Sequence, residues 1–338
     1  MSGVTCINNK IKSILSICLI VVIALSLTGC VDDNESSYED DITYDIYDSS
    51  KGYNIMSSTA NTDNNLFAKD LGVTTGADKG VENVDAACSE GGILVNRNTN
   101  EIKYSKNVFG KMYPASTTKL LTALVCVKYA NLDDTVTVSE YACKQTSDSS
   151  VCGLQPGDRV SYRTLLYGLL LRSGNDAAIA IAEGMSGTVE EFAVLMNKEA
   201  NLCGATHSHF VNSNGLHNDD HYTTVYDMYL IFDKVLDYKL LYDIITTTEY
   251  DAAYTNGAGA PVQQKWANTN LYLTNQVRKP REIVVLGGKT GTTNPAGYCL
   301  VLLSRNNKNE EIVSIVYKAD SRNNLYYVMN QLLETFGS

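Results

Sequence analysis

The chain has no surplus of positive charge. Its 27 Lys and Arg stand against 38 Asp and Glu, a net charge of -11, so it lacks the cationic footprint that neutralising a phosphate backbone requires, and nucleic acid is excluded as a partner. Nor does it have a run of about 20 apolar residues, the length that crosses a bilayer; the apolar run at residues 14–27 falls short. Nine cysteines include no C-x-x-C pair, and four histidines fit no zinc spacing, so neither a metal nor a cofactor is implied. There is no internal repeat. With 44% hydrophobic and 19% charged residues, 338 residues suffice for one substantial core in a globular chain.

The acidic surplus is concentrated: residues 31–48 hold eight Asp or Glu and no Lys or Arg, leaving the remainder close to neutral. Ahead of them, Lys10 and Lys12 precede the apolar run, which ends in Leu27-Thr28-Gly29-Cys30. Small residues before a cysteine suggest cleavage and lipidation. Residues 1–29 resemble a bacterial lipoprotein signal, with Cys30 as the lipidated N-terminus and the rest anchored to the outer face of the cytoplasmic membrane. Residues 30–82 have little apolar periodicity and are expected to form an acidic flexible tether. The folded domain is then 83–338. In an exported chain disulfides are possible, and Cys143 and Cys152 are close enough to close a small loop, a pairing that sequence leaves open. Cys126 and Cys299 lie in apolar runs, as small core hydrophobes do.

Within the domain, residues 92–95 and 102–104 flank the turn-forming Asn98-Thr99-Asn100 and predict an opening hairpin. Residues 115–130 predict a helix apolar on most sides, and helices follow at 162–171, 176–183, 189–202 and 225–236. Thr188 with Glu191 three residues on is a capping-box pattern, and Gly204 suits a left-handed helix end. After a polar stretch at 254–264, strands are expected at 283–286, 298–303 and 312–317, then a last helix at 324–335. Strands, helices, then strands and a helix describe an α+β fold: an antiparallel sheet with flanking helices and a helical subdomain inserted mid-chain.

Three short motifs carry chemistry. Ser116 and Lys119 are three residues apart at the start of the apolar helix, which places hydroxyl and amine on one face. That pairs a weak nucleophile with a base, provided burial or a nearby cation keeps the lysine neutral. Ser173-Gly174-Asn175 falls in a break between two helical runs, and Lys289-Thr290-Gly291 follows Gly287-Gly288 beside the strand at 283–286.

S-x-x-K, S-x-N and K-T-G in this order resemble the signature of penicillin-binding proteins and class A β-lactamases. Tyr113-Pro114-Ala115, Leu154-Gln155-Pro156-Gly157-Asp158, residues 165–176 and Asn212-Ser213-Asn214-Gly215-Leu216-His217 are similar to the D-alanyl-D-alanine carboxypeptidase branch. The resemblance covers residue 86 onward and implies a serine enzyme that removes the terminal D-alanine from peptidoglycan stem peptides through an acyl-enzyme, with β-lactams as acylating inhibitors. It assigns Ser116 as nucleophile, Lys119 as base, Ser173 as proton relay to the leaving group, and Asn175 as the amide orienting Lys119 and substrate. Lys289 and Thr290 would meet the substrate carboxylate, and Gly291 would leave room for the peptide along the strand. The N–H groups of Ser116 and Thr292 would form an oxyanion hole.

The chain departs from that pattern in three places. Thr292 stands where many relatives have His, and Asn268-Thr269-Asn270 lies where an Arg is expected, with Arg278 and Arg281 as distant substitutes. It also ends soon after the catalytic domain, so a lipid on Cys30 is expected to replace a C-terminal anchor. The rival readings are a D,D-endopeptidase, a class A-like β-lactamase, which needs a deacylating glutamate such as Glu183, Glu190 or Glu191 between the second and third motifs, and a non-enzymatic penicillin-binding sensor module. His221, with Thr223, Thr224 and Asp227, reads as a structural residue at a helix start. Trp266 is a candidate for either groove or core.

Overall fold

The structure, a computed structural model, describes residues 71–338. Cys30, the signal-like segment and residues 30–70 of the expected tether lie outside the described residues.

Among the described residues nine strands form two sheets. Strands β1 (Gly91–Asn96) and β2 (Glu101–Lys106) are the expected hairpin. With β7 (Val284–Thr293), β8 (Gly297–Arg305) and β9 (Glu311–Ala319) they build an antiparallel sheet in the order β2-β1-β9-β8-β7. Ile93 opposite Ile315 and Val301 opposite Ile315 fix the central register. The chain leaves this sheet after β2, builds its helices, and returns at β7, so the expected mid-chain helical insertion is what the topology contains.

Both faces of the five-stranded sheet are covered, which explains why its strands read as continuous apolar runs instead of alternating ones. Ile93, Val95, Val301, Val313 and Ile315 join the core that contains the inserted helices. Leu94, Leu300, Leu302, Ile312 and Val316 face the other way, onto Leu325, Val328, Met329 and Leu332 of the last helix.

Eight helices are described: α1 (Lys119–Tyr129), α2 (Glu140–Cys143), α3 (Tyr162–Leu171), α4 (Asn175–Ser186), α5 (Val189–Leu202), α6 (Val225–Leu236), α7 (Lys239–Thr246) and α8 (Arg322–Phe336). Their starts follow from local capping. The side chains of Ser161, Thr188, Thr224 and Ser321 each accept a backbone N–H three residues on, each cap contributing about 1 kcal/mol. Gly204 adopts φ +83°, the left-handed turn expected after α5. Helix α1 is central, with every residue from Lys119 to Cys126 buried.

Four features differ from the sequence expectation. The helix expected from residue 115 begins as a 3-10 turn, Ala115–Thr118, and becomes α-helical only at Lys119. The polar stretch at 254–264 belongs to a hairpin of β5 (Glu249–Thr255) and β6 (Pro261–Ala267), which with β3 (Thr135–Thr137) and β4 (Arg159–Ser161) forms a second sheet, β3-β4-β5-β6. Its outer face is polar, and its inner face is anchored by Trp266, 1% exposed, and by Tyr250 stacked on Tyr167 at 3.7 Å. Trp266 is thus core. The Lys289-Thr290-Gly291 motif lies within β7, not beside it. Finally, residues 71–82, assigned above to the tether, bond to the domain: the Gly72 N–H donates to Tyr229 Oη at 2.9 Å, and Lys79 pairs with Ser105. Cys143 and Cys152 are both free thiols in this structure.

Candidate active site

The three motifs come from three different elements and meet at one cleft. The 3-10 turn and α1 supply Ser116 and Lys119, the break between α3 and α4 supplies Ser173 and Asn175, and edge strand β7 supplies Lys289 to Thr292. The cleft has a volume of about 750 Å³ and is lined by Ser116, Ser173, Asn175, Thr290, Gly291 and Thr292 among others. All eight sequence candidates in these motifs are therefore at or directly behind one surface.

Lys119 is fully buried. Its Nζ lies 2.9 Å from Ser116 Oγ, 2.8 Å from Asn175 Oδ1 and 2.6 Å from the Asn214 carbonyl oxygen. Two of these partners are carbonyl oxygens and can only accept. A neutral amine therefore spends both its N–H bonds on Asn175 and Asn214, and its lone pair is left facing the Ser116 hydroxyl. Burial, and then the positive charge of Lys289, hold the Lys119 amine well below its ordinary lysine range, which favours that neutral form.

Lys289 is also buried, and its Nζ donates to Ser173 Oγ at 2.9 Å and to the Thr290 carbonyl at 2.7 Å. Burial brings it down to about 7. Ser173 thus stands on the Lys289 side of the cleft and Asn175 on the Lys119 side, two residues apart.

Local backbone geometry makes these contacts possible. Ala115 (φ +47°) and Ser173 (φ +59°) occupy left-handed backbone without being glycine, a strained state that surrounding packing must enforce. Gly215 packs directly against Ala115: a Cβ there would lie 1.9 Å from the Ala115 carbonyl oxygen. That glycine lets the 212–217 loop press its Asn214 carbonyl onto Lys119. The Thr122 hydroxyl ties the loop to α1 by donating to the Ser213 carbonyl at 2.7 Å. Gly291 serves a similar close approach, since a Cβ there would meet Pro114 O and the Ser116 and Thr117 nitrogens at 2.9 to 3.0 Å. Its lack of a side chain brings β7 against the nucleophile turn. Thr117 Oγ1, bonded to Tyr317 Oη and to the Pro114 carbonyl, holds that turn from behind.

The second motif is fixed by its neighbour Asp176, whose carboxylate accepts the N–H groups of Cys152, Gly153 and Leu154 at 2.9 to 3.1 Å. The Asn175 N–H donates to the Ser150 carbonyl at 2.8 Å. The loop before β4 is thereby bound to the start of α4, and Thr146, Asp148, Ser149 and Ser150 line the cleft.

His221 is structural, as expected. Its Nδ1 accepts the Val211 N–H at 3.1 Å, so the proton sits on Nε2 and is donated to Thr118 Oγ1 at 2.8 Å. Burial pushes its pKa down to about 3, keeping it neutral.

Neither distant arginine reaches the cleft. Arg278 pairs with Glu334 at 2.9 Å, and the Arg281 N–H bonds the same carboxylate. The cleft is instead lined by Arg322, the first residue of α8, which sequence reasoning missed because nothing near it in the chain marks it. Asn268 and Thr269 also line it, and Thr269 Oγ1 lies 3.0 Å from Thr290 Oγ1. Among the described residues no glutamate lines the cleft: Glu183 bonds Ser139 at 2.6 Å, and Glu190 and Glu191 lie exposed at the start of α5. No group of His, Cys, Asp and Glu able to hold a metal occurs among the described residues.

This architecture and three-motif cleft define the scaffold of the D,D-peptidases. The crystal structure of the Streptomyces K15 DD-transpeptidase superposes with a TM-score of 0.67 at 28% identity, covering 73% of this chain and 95% of that one. A D-alanyl-D-alanine carboxypeptidase from Mycobacterium tuberculosis gives 0.64 at 25% identity, covering 73% and 89%. Residues 78–321 match the D-alanyl-D-alanine carboxypeptidase family, and the chain belongs to that family. It is 31% identical over 234 residues to D-alanyl-D-alanine carboxypeptidase DacF of Bacillus subtilis, a match spanning 68% of this chain and 57% of that protein.

Proposed function

We propose that the chain is a serine D,D-carboxypeptidase acting on peptidoglycan stem peptides that end in D-alanyl-D-alanine. The supporting observation is the placement of the buried Lys119 Nζ 2.9 Å from Ser116 Oγ, with two carbonyl oxygens, of Asn175 and Asn214, within reach to accept its N–H bonds. A substrate enters extended along the free edge of β7, where main-chain hydrogen bonds align it. Its terminal carboxylate is met by Thr290, by the charge of Lys289 and by Arg322, the cation that takes the place of the arginine expected earlier in the chain.

Ser116 Oγ attacks the carbonyl of the penultimate D-alanine while Lys119 Nζ accepts the hydroxyl proton. The oxyanion is received by the backbone N–H groups of Ser116 and Thr292. The proton taken up by Lys119 is passed to Ser173 as Ser173 hands its own to the leaving amine, so the C–N bond breaks, D-alanine departs, Lys119 is neutral again, and an ester to Ser116 remains. Water then attacks the ester with Lys119 again as base, releasing the shortened peptide and restoring the hydroxyl. A β-lactam enters the same path, but its leaving amine stays tethered, and no glutamate among the described residues lines the cleft to drive deacylation as in a class A β-lactamase.

The test uses the full-length protein and a peptide ending in D-alanyl-D-alanine, with free D-alanine as readout. Release that vanishes in Ser116→Ala supports the reading; no release from the intact protein overturns it. The proposal extends to location: Cys30 carries a diacylglyceryl anchor that holds the domain at the outer face of the membrane. Metabolic labelling with a fatty acid, lost in Cys30→Ser, is the expected result, and an unlabelled wild type would refute it.

A further inference from the structure

The segment that carries the nucleophile rests on one cross-strand row of the five-stranded sheet. Gly91 of β1 pairs with Tyr317 of β9, and Gly291 of β7 pairs with Cys299 of β8. Between these pairs the β8–β9 ladder is interrupted from Tyr298–Ala319 to Leu300–Val316, which leaves Cys299 beside Tyr317. Residues paired across strands share a face of the sheet, and all four of these face residues 112–117. A Cβ on Gly91 would run into the Met112 side chain, and one on Gly291 would meet the Ser116 and Thr117 nitrogens at 3.0 Å. Cys299 Sγ lies 3.9 Å from the Tyr113 carbonyl oxygen. Tyr317, the one long member of the row, bonds through Oη to Thr117 Oγ1.

Proton counting fixes the direction of that bond. The Thr117 hydroxyl has one proton, and it goes to the Pro114 carbonyl at 2.7 Å; in the bond to Tyr317, therefore, Tyr317 donates. Burial holds the phenol well above the ordinary tyrosine range, so its proton is present at neutral pH. The Pro114 carbonyl also accepts the Thr117 N–H at 3.2 Å, which closes residues 114–117 into a turn with Ser116 inside it. Next to Ser116 is Ala115 at φ +47°, a conformation that relaxes unless its surroundings hold it. The tie comes from an interior strand, since β9 lies between β1 and β8, and the same sheet carries the Thr292 N–H on β7. Nucleophile turn and oxyanion donor thus share one frame.

We infer that Tyr317 is a positioning residue for acylation: by donating to Thr117 it fixes the turn of Ser116 on the sheet that carries the Thr292 N–H, so that hydroxyl and oxyanion donor stay in register. The inference rests on the carboxypeptidase reading. Tyr317 stands behind the turn and is not among the residues that line the cleft. Its loss is a loss of placement, which lowers the rate constant and leaves substrate binding in place.

The experiment follows D-alanine release from Nα,Nε-diacetyl-L-lysyl-D-alanyl-D-alanine by the full-length protein. Turnover is counted per site that a fluorescent β-lactam labels at completion, so an unfolded fraction drops out. Tyr317→Phe keeps the ring and removes the donor. It should lower kcat by about 10- to 100-fold, the range for a reacting group displaced by up to about an ångström, leave KM within about threefold, and slow β-lactam acylation by a similar factor. Thr117→Ser keeps the accepting oxygen and should stay within about threefold of the wild type, whereas Thr117→Val should cost at least as much as Tyr317→Phe. Because the two changes remove one link, the double variant should be no slower than Thr117→Val alone. A Tyr317→Phe protein that loses thermal stability but keeps the wild-type kcat per site, or a double variant whose losses multiply, assigns Tyr317 to the core alone and overturns the inference while leaving the carboxypeptidase reading intact. No D-alanine release from the wild type removes that reading, and the inference with it.

Discussion

On the helical wall of the cleft Lys119 is held by side-chain and carbonyl acceptors gathered from three separate segments, whereas on the sheet wall Lys289 occupies one regular strand and donates to its neighbour's carbonyl and to Ser173. The helical wall needs strained backbone at Ala115 and Ser173 and a glycine at 215 to bring its parts together. The sheet wall needs strand register and the slim Gly291 to lay β7 against the nucleophile turn. Both lysines are depressed by burial, but Lys119 also feels the charge of Lys289. On the proposed reading the difference gives them different work: Lys119, held well below its ordinary range beside Ser116 Oγ, serves as base, and Lys289, at about 7, keeps a share of its charge for the substrate.

Substitutions sharpen that contrast in order of expected effect. Ser116→Ala removes the atom both walls serve and should cost at least about 10⁴-fold in kcat, with covalent labelling by a fluorescent β-lactam lost as well. Lys119→Met should lower kcat by about 10³- to 10⁴-fold with little change in KM, the range for loss of a positioned base. A KM effect as large as the kcat effect would break the comparison. Arg322→Gln should raise KM about tenfold and leave kcat within about threefold, as loss of one charge-assisted contact to a carboxylate would.

Titration separates the walls too. In the free enzyme kcat/KM should fall as pH rises through about 7, where Lys289 loses its proton. In kcat the same limb should lie higher, because a bound carboxylate holds Lys289 protonated. Coincident limbs would remove the substrate-facing role given to Lys289. The same group links to stability. Unfolded, a lysine keeps its proton up to the ordinary 10.5; folded, Lys289 keeps it only to about 7. Between those values unfolding takes up a proton, so stability from this group rises with pH across about 7 to 10.5 and is flat below that window. Relative to Lys289→Met, the wild type should gain about 2 to 4 kcal/mol from pH 7 to pH 10, measured by denaturant unfolding at each pH. A constant difference would show that Lys289 is not desolvated.

Sequence carried far on the scaffold because its elements announce themselves locally. Helices 162–171, 189–202 and 225–236 were legible to the residue, since Ser161, Thr188 and Thr224 cap them and apolar spacing sustains them. The β5–β6 hairpin was hidden because its outward residues, such as Gln263 and Lys265, are polar, and only tertiary packing shows Trp266 beneath them. Helix α7 escaped for want of a cap: no side chain accepts its first N–H groups. Arg322 was invisible because its approach to the cleft depends on how α8 lies across the sheet, a relation that no spacing in the chain encodes.

By itself the sequence singled out which side chains meet: three short motifs with side chains fitted to nucleophile, base and carboxylate recognition, read as a helix start, a break between helices and a segment beside a strand. Tertiary structure alone decided the electronic state of those groups and who else joins them. A lysine's proton affinity depends on desolvation and on a second lysine 170 residues away in the chain, and its amine is held by a backbone carbonyl, that of Asn214, which every residue type possesses. Side-chain identity is local information, whereas burial, field and carbonyl direction are sums over the whole packed chain.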